Sequence, residues 1–251
     1  MLKKRRLDNA LFIMRGERQV RALLIFGLLA VSLVLAASCA DKSKTASKDF
    51  DAADEDEAAQ NANVKKNVKP EADAEAAVIE TDYGRIVIEL YPNLAPNMVA
   101  RFKQLTKEGF YNGTTFHRVD PGLGIIQGGD PLSKDDNPDN DGSGNSQYPN
   151  VAAEFSDIPF ERGIVGAARA KSFDSANCQF FITLMRQPAF ETDDNRYTVF
   201  GRVVDDQSLN NAGVILGAPV VPGTQQPSDK IVIKSITLQP RANFGASNAA
   251  H

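Results

Sequence analysis

Between residues 77 and 240 the chain is a succession of short apolar runs with a period of two, separated by turn residues. Val78-Ile79-Glu80 and Arg85-Ile86-Val87-Ile88-Glu89-Leu90 flank Thr81-Asp82-Tyr83-Gly84, which predicts a hairpin whose second arm buries Ile86, Ile88 and Leu90. Pro92 and Pro96 stop that strand and open a helix, since proline is tolerated in a helix's first turn. Met98, Val99, Phe102 and Leu105 then recur at helical spacing, and Gly109 suits the C-terminal end. Phe116-His117-Arg118-Val119 reads as a strand, Pro121, Gly122 and Gly124 as a turn, and Ile125-Ile126-Gln127-Gly128-Gly129-Asp130 as a second strand ending at a double glycine. Alternation predicts Phe116 and Arg118 on one face, with His117 and Val119 on the other. Further strands are expected over 163–170, 178–184, 196–203 and 231–238, with a short helix over 206–213. Many short strands and few helices predict a mainly β fold, a closed antiparallel barrel.

The ends of the chain follow other rules. A long basic opening, Lys3 to Arg21, precedes an apolar run from Ala22 to Ala37. At roughly sixteen residues this run is short of a membrane span and suits the core of a signal peptide. It leads into Leu35-Ala36-Ala37-Ser38-Cys39, which resembles a bacterial lipoprotein signal over 1–38, with Cys39 exposed by cleavage for lipid attachment. Ala36 stands where that pattern usually has a larger aliphatic residue. A cleaved soluble form and an uncleaved anchor are the alternatives; all three place the remainder outside the cytoplasm, on the periplasmic face of the cell envelope. Residues 39–76 are dominated by Lys, Asp, Glu, Ala and Asn, with an acidic cluster Asp54-Glu55-Asp56-Glu57. Such a stretch buries too little apolar area to offset its ordering entropy and is expected to be a tether. The folded domain is expected over 77–240, with 241–251 a loose tail.

Composition narrows the function classes. With 42% hydrophobic and 24% charged residues the chain carries an ordinary globular core. A formal net charge of -4 and no basic stripe with interleaved aromatics give no nucleic-acid surface. Two cysteines, Cys39 and Cys178, define no disulfide framework. The run Asn137-Pro138-Asp139-Asn140-Asp141-Gly142 invites a calcium reading, but Tyr148 stands where the closing glutamate of a calcium loop is needed. His117 is the single histidine of the folded segment, and alternation points it away from Arg118, so a Ser-His-Asp or Cys-His hydrolase finds no support. Cys178 sits in an apolar strand as a buried structural thiol. No histidine-cysteine cluster offers a metal site, and no cofactor is expected. Asn112-Gly113-Thr114 fits a glycosylation acceptor and is read as a turn.

Four motifs occur in order: Phe116-His117-Arg118, Gln127-Gly128-Gly129-Asp130, Gln179-Phe180-Phe181-Ile182 and Val199-Phe200-Gly201. At this spacing the chain resembles the cyclophilin-type peptidyl-prolyl cis-trans isomerases, in a bacterial exported form, from Val78 to Leu238. The resemblance implies an eight-stranded barrel capped by two helices, with the active groove on its outer face, acting as a monomer on proline-containing polypeptides. It assigns the proline pocket to Phe116, Ile125, Phe181, Phe190 and Tyr197, and the neighbouring groove to Ala168, Arg169 and Gln179. Gln127 would hold the substrate backbone or orient Arg118. Three positions depart from the common pattern. Phe190 stands where many eukaryotic members carry tryptophan, which bears on cyclosporin binding more than on catalysis. Arg169 replaces a common asparagine, adding charge to the groove, and Tyr197 replaces a frequent histidine.

The chemistry agrees with those residue types. Rotation about an X-Pro bond meets a barrier of about 18–20 kcal/mol, and uncatalysed exchange takes tens to hundreds of seconds. Reaching milliseconds means removing about 5–7 kcal/mol. No covalent bond need break: the catalyst must favour the twisted amide, whose nitrogen has become a lone-pair acceptor. Arg118 keeps its charge and offers a rigid fork to that nitrogen. A non-catalytic proline-binding module is the competing class, and a coupled-protease assay separates the two.

Overall fold

The structure, a computed structural model, describes residues 63–245. The signal segment, Cys39, the acidic cluster at 54–57 and the end of the tail lie outside the described residues. Eight strands follow one another: β1 (Glu75–Thr81), β2 (Gly84–Leu90), β3 (Arg118–Asp120), β4 (Ile125–Gly128), β5 (Ile164–Ala167), β6 (Phe180–Thr183), β7 (Val199–Val203) and β8 (Ser235–Pro240). Helix α1 (Pro96–Lys107) falls between β2 and β3, and α2 (Asp206–Leu216) between β7 and β8. The strands make one curled antiparallel sheet in the order β3-β4-β6-β5-β7-β2-β1-β8.

Local chemistry explains the elements. The β1–β2 hairpin turns through Asp82-Tyr83, where the Thr81 hydroxyl donates to the Gly84 carbonyl at 2.8 Å and accepts from the Tyr83 amide at 3.0 Å. Helix α1 has no side-chain cap of its own at Ala95. Its first amides are met from elsewhere: the Glu154 carboxylate accepts from the amides of Asn97 and Met98 at 3.0 and 2.9 Å, an anion at the positive end of the helix. Asp205 caps α2 by accepting from the Ser208 amide at 2.7 Å. Phe102 of α1 meets Phe180 edge-on and Phe200 at a tilt, so the helix seals the concave face of the sheet over the main core.

The expected closed barrel requires correction. β3 and β8, the two ends of the sheet, share no strand register. In their place 113–116 meets 231–233: the Gly113 and Phe116 amides donate to the Ile233 and Ile231 carbonyls, and Thr115 bridges Val232. Both segments then lose their alternation. Phe116 and Val119 both point inward, as do Ile233 and Ile236, each pair one residue out of step with a period of two. Past those breaks β3 donates from Val119 to the Gln225 carbonyl, while β8 runs along β1. The sheet is therefore a curled half-barrel with an irregular seam.

The domain is also longer than expected at both ends. Residues 63–74 lie against it, where a tether was expected. The Lys65 ammonium donates to the Asn93 and Leu94 carbonyls, its backbone bridges Ser156, and Asp73 pairs with Lys103 at 2.9 Å. Arg241, placed in the tail from sequence, pairs with the buried Glu89 at 2.8 Å. A few specific charge and backbone contacts offset the ordering cost that composition alone argues against.

Candidate active site

Strand alternation divides β4, β5 and β6 between two apolar clusters. Ile126, Val165, Ala167, Phe180 and Ile182 face the main core. Ile125, Ile164 and Phe181 face outward into a second cluster with Phe160, Phe190 and Val199, bordered by Leu123, Ala168 and Tyr197. The Phe181 ring lies over Gly166, its register partner; a Cβ there would come within 2.3 Å of the ring. Around it Phe160 stacks at 5.7 Å, while Phe190 and Tyr197 present edges at 5.4 Å. Each such pair adds about 0.5–1.5 kcal/mol beyond area burial. The result is a rigid apolar floor on the outer face of the sheet.

Beside the floor runs a chain of hydrogen bonds in which each link sets the orientation of the next. The Gln179 amide nitrogen donates to the carbonyls of Gly142 and Gly144 at 3.0 and 2.9 Å. Its oxygen must therefore face Gln127, whose Nε2 donates to it at 3.0 Å. Gln127 Oε1 is then turned to Arg118 and accepts from Nη1 at 3.2 Å. In register Gln127 lies between Arg118 of β3 and Phe181 of β6, so the guanidinium and the ring flank it on one face, about 10 Å apart at the backbone. Arg118 Nε donates to Gln225 Oε1 at 2.6 Å and Nη2 to Asp120 Oδ2 at 3.0 Å. Gln225 Nε2 donates to the same Oδ2 at 2.5 Å, and the Leu123 amide to Asp120 Oδ1 at 3.0 Å. A cleft of about 290 Å³ opens next to Gln127 and Gln179, walled by Gly142, Ala168, Arg169 and Asn177.

Most of the expected site residues are brought together: Arg118, Ile125, Gln127, Ala168, Gln179, Phe181, Phe190 and Tyr197 share this outer face. Phe116 does not. The broken alternation turns it into the main core, fully buried, with its ring 6.1 Å from Phe180 and not in the second cluster. Arg169 borders the cleft, but its guanidinium lies between the rings of Phe173 and Tyr197, 4.6 and 4.5 Å from their centroids. It donates to the carbonyls of Arg196, Ala170 and Lys171. Its charge staples two loops and steadies Tyr197. Gln225 and Phe160 had no signal in the sequence, since nothing local marks a partner that lies far along the chain; Asp120 did have one, because it stands two residues from Arg118, where alternation along a strand puts both on one face.

Burial favours the neutral form of two further groups, Cys178 and His117. Burial pushes the Cys178 thiol up to about 12, so it stays protonated. Burial also lowers His117, against the opposing field of Asp130, and the nearby Arg118 charge acts in the same sense as burial. Among the described residues no group of three potential ligands gathers around a metal position.

The family model for cyclophilin type peptidyl-prolyl cis-trans isomerases matches residues 76–238, more than half of the chain. The chain belongs to this family. A Brucella suis protein described as a probable peptidyl-prolyl cis-trans isomerase is 40% identical over 170 residues, 66% of this chain and 84% of that one. A peptidyl-prolyl cis-trans isomerase of Synechococcus elongatus is 38% identical over 133 residues, 53% of this chain and 83% of the relative. Among solved structures, a cyclophilin of Cryptosporidium parvum superposes with a TM-score of 0.56 at 29% identity, covering 66% of this chain and 97% of its own. The same protein is known in the presence of the dipeptide Ala-Pro, with a TM-score of 0.55. The chain is thus a cyclophilin-type peptidyl-prolyl cis-trans isomerase, mainly β, with eight antiparallel strands and two helices.

Proposed function

We propose that this cyclophilin turns X-Pro bonds of exported, proline-containing polypeptides without covalent chemistry, with Arg118 as the donor that selects the twisted amide. The proline ring rests on Ile125, Phe181, Phe190 and Tyr197, Gln127 aims the guanidinium, and Ala168 and Gln179 border the cleft that takes the neighbouring substrate residue. The observation that carries this reading is the Gln179–Gln127–Arg118 relay beside the Phe181 floor. A planar amide spreads its nitrogen lone pair into the carbonyl; the half-rotated amide does not, and only then can the nitrogen accept from a guanidinium. A donor that gains its bond in the transition state alone lowers the barrier and leaves ground-state binding unchanged. The Cryptosporidium parvum relative's structure in the presence of Ala-Pro supports proline-containing ligands for this fold.

Exchange of a proline peptide followed by NMR tests the assignment. Arg118→Ala is expected to lose at least about tenfold in kcat/KM while the fold is kept, as for a single transition-state donor. Arg118→Lys retains the charge without the fork and is expected to recover little of it. A parent-like rate in Arg118→Ala would refute the arginine's role. We further infer a monomer held at the periplasmic face of the envelope by lipid on Cys39.

A further inference from the structure

The relay through Gln127 fixes one corner of the Arg118 guanidinium; a second set of contacts fixes the opposite edge. Nε is bonded to Gln225 Oε1, Nη2 to Asp120 Oδ2, and Gln225 Nε2 to that same oxygen, so the three side chains close a ring. Asp120 is held in turn. Its other oxygen accepts from the Leu123 amide, and its side chain is 8% exposed against 33% for Arg118. Gln225 is tied by its backbone too, accepting from the Val119 amide at 2.7 Å. Its segment is a short irregular hairpin in which Val220 bridges Pro227 and the Val221 amide donates to the Gln226 carbonyl. Through the Leu123 amide Asp120 also ties the turn after β3, while the core contact of the strand comes from Val119 beside it.

We propose that Asp120 and Gln225 are positioning residues of the isomerase, setting the direction of the Arg118 fork from the side opposite Gln127. Of the five guanidinium N–H groups, one on Nε and one on each terminal nitrogen are engaged by Gln225, Asp120 and Gln127. One hydrogen on each terminal nitrogen is not used by these three partners. Without the ring, a third-exposed arginine with several rotatable bonds would have to be ordered in every turnover, and small misplacements of a catalytic donor are expensive in rate. The carboxylate also neutralises the arginine outside the groove, so the fork acts through direction more than through long-range attraction of acidic peptides. This inference rests on the proposed role of Arg118.

A double-mutant cycle tests it. Gln225 is exposed, so Gln225→Ala is expected to fold as the parent does, and Asp120→Ala provides the second arm. Each is expected to lower kcat by about fivefold or more, with KM for the peptide changed less than about twofold. In an Arg118→Ala background neither substitution is expected to lower the residual rate further. The Arg118 Nε–H cross-peak is expected to be sharp in the parent and to broaden or vanish in Gln225→Ala. Parent-like kcat in both single variants, or equal losses with and without Arg118, would overturn the positioning role, the latter marking a general structural one. An unchanged rate in Arg118→Ala alone is a different failure, since it removes the donor and not its support.

Discussion

The Phe181 ring can lie flat on its strand because its register partner has no side chain. Gly166 is the one β5 position where a methyl group would penetrate that ring, and the ring cannot retreat, being stacked on Phe160 and braced by Phe190 and Tyr197. Gly166→Ala is therefore expected to displace the proline floor, raising KM for the peptide several-fold and lowering Tm, both measurable on the same sample. A parent-like KM would mean that the ring moves without consequence for binding. Gln127 and Phe181 are legible from sequence because a strand's alternation places every second residue on one face. Phe116 is misplaced by the same rule, since alternation holds only while the ladder does and it fails two residues before β3. Arg169 is legible as a charge at the groove, but its engagement with Phe173, Tyr197 and the Arg196 carbonyl depends on loops whose course no local pattern records.

At the scale of elements, residues 63–74 bear on the site from behind. Val68 packs on the cluster that contains Phe160 and Leu94, and Phe160 is the ring stacked on Phe181. The family match begins at residue 76, so this strap lies outside the shared domain. A domain beginning at Glu75 is expected to melt roughly 5–10 °C below one beginning at Asn63, the equivalent of about 2–3 kcal/mol in a domain of this size. Scanning calorimetry decides it; equal melting temperatures would make the strap a passenger. Composition could not reveal this, because Lys65 and Asp73 look like tether residues until Leu94 and Lys103 are placed beside them.

For the whole molecule, the proposed anchor decides where the isomerase works. The lipid anchor proposed at Cys39 predicts that Cys39→Ser moves the full-length protein from the membrane pellet to the soluble fraction and abolishes labelling by a radioactive fatty acid. The proline-isomerisation rate per molecule is expected to stay that of the parent, since Cys39 lies well before the first described residue of the domain. Continued sedimentation with membranes would favour an uncleaved apolar segment, and a soluble parent protein would remove the anchor altogether.

By itself the sequence determined the order of strands and helices, the faces of the strands whose ladder is unbroken and the family, because period-two alternation, proline and glycine punctuation and four ordered motifs are all local in the chain. Tertiary structure alone decided the seam between the two ends of the sheet, the inward turn of Phe116, and the approach of Gln225 that closes the ring around Arg118. These depend on register between segments far apart in the chain, and register arises from the sum of many packing choices that no single stretch encodes.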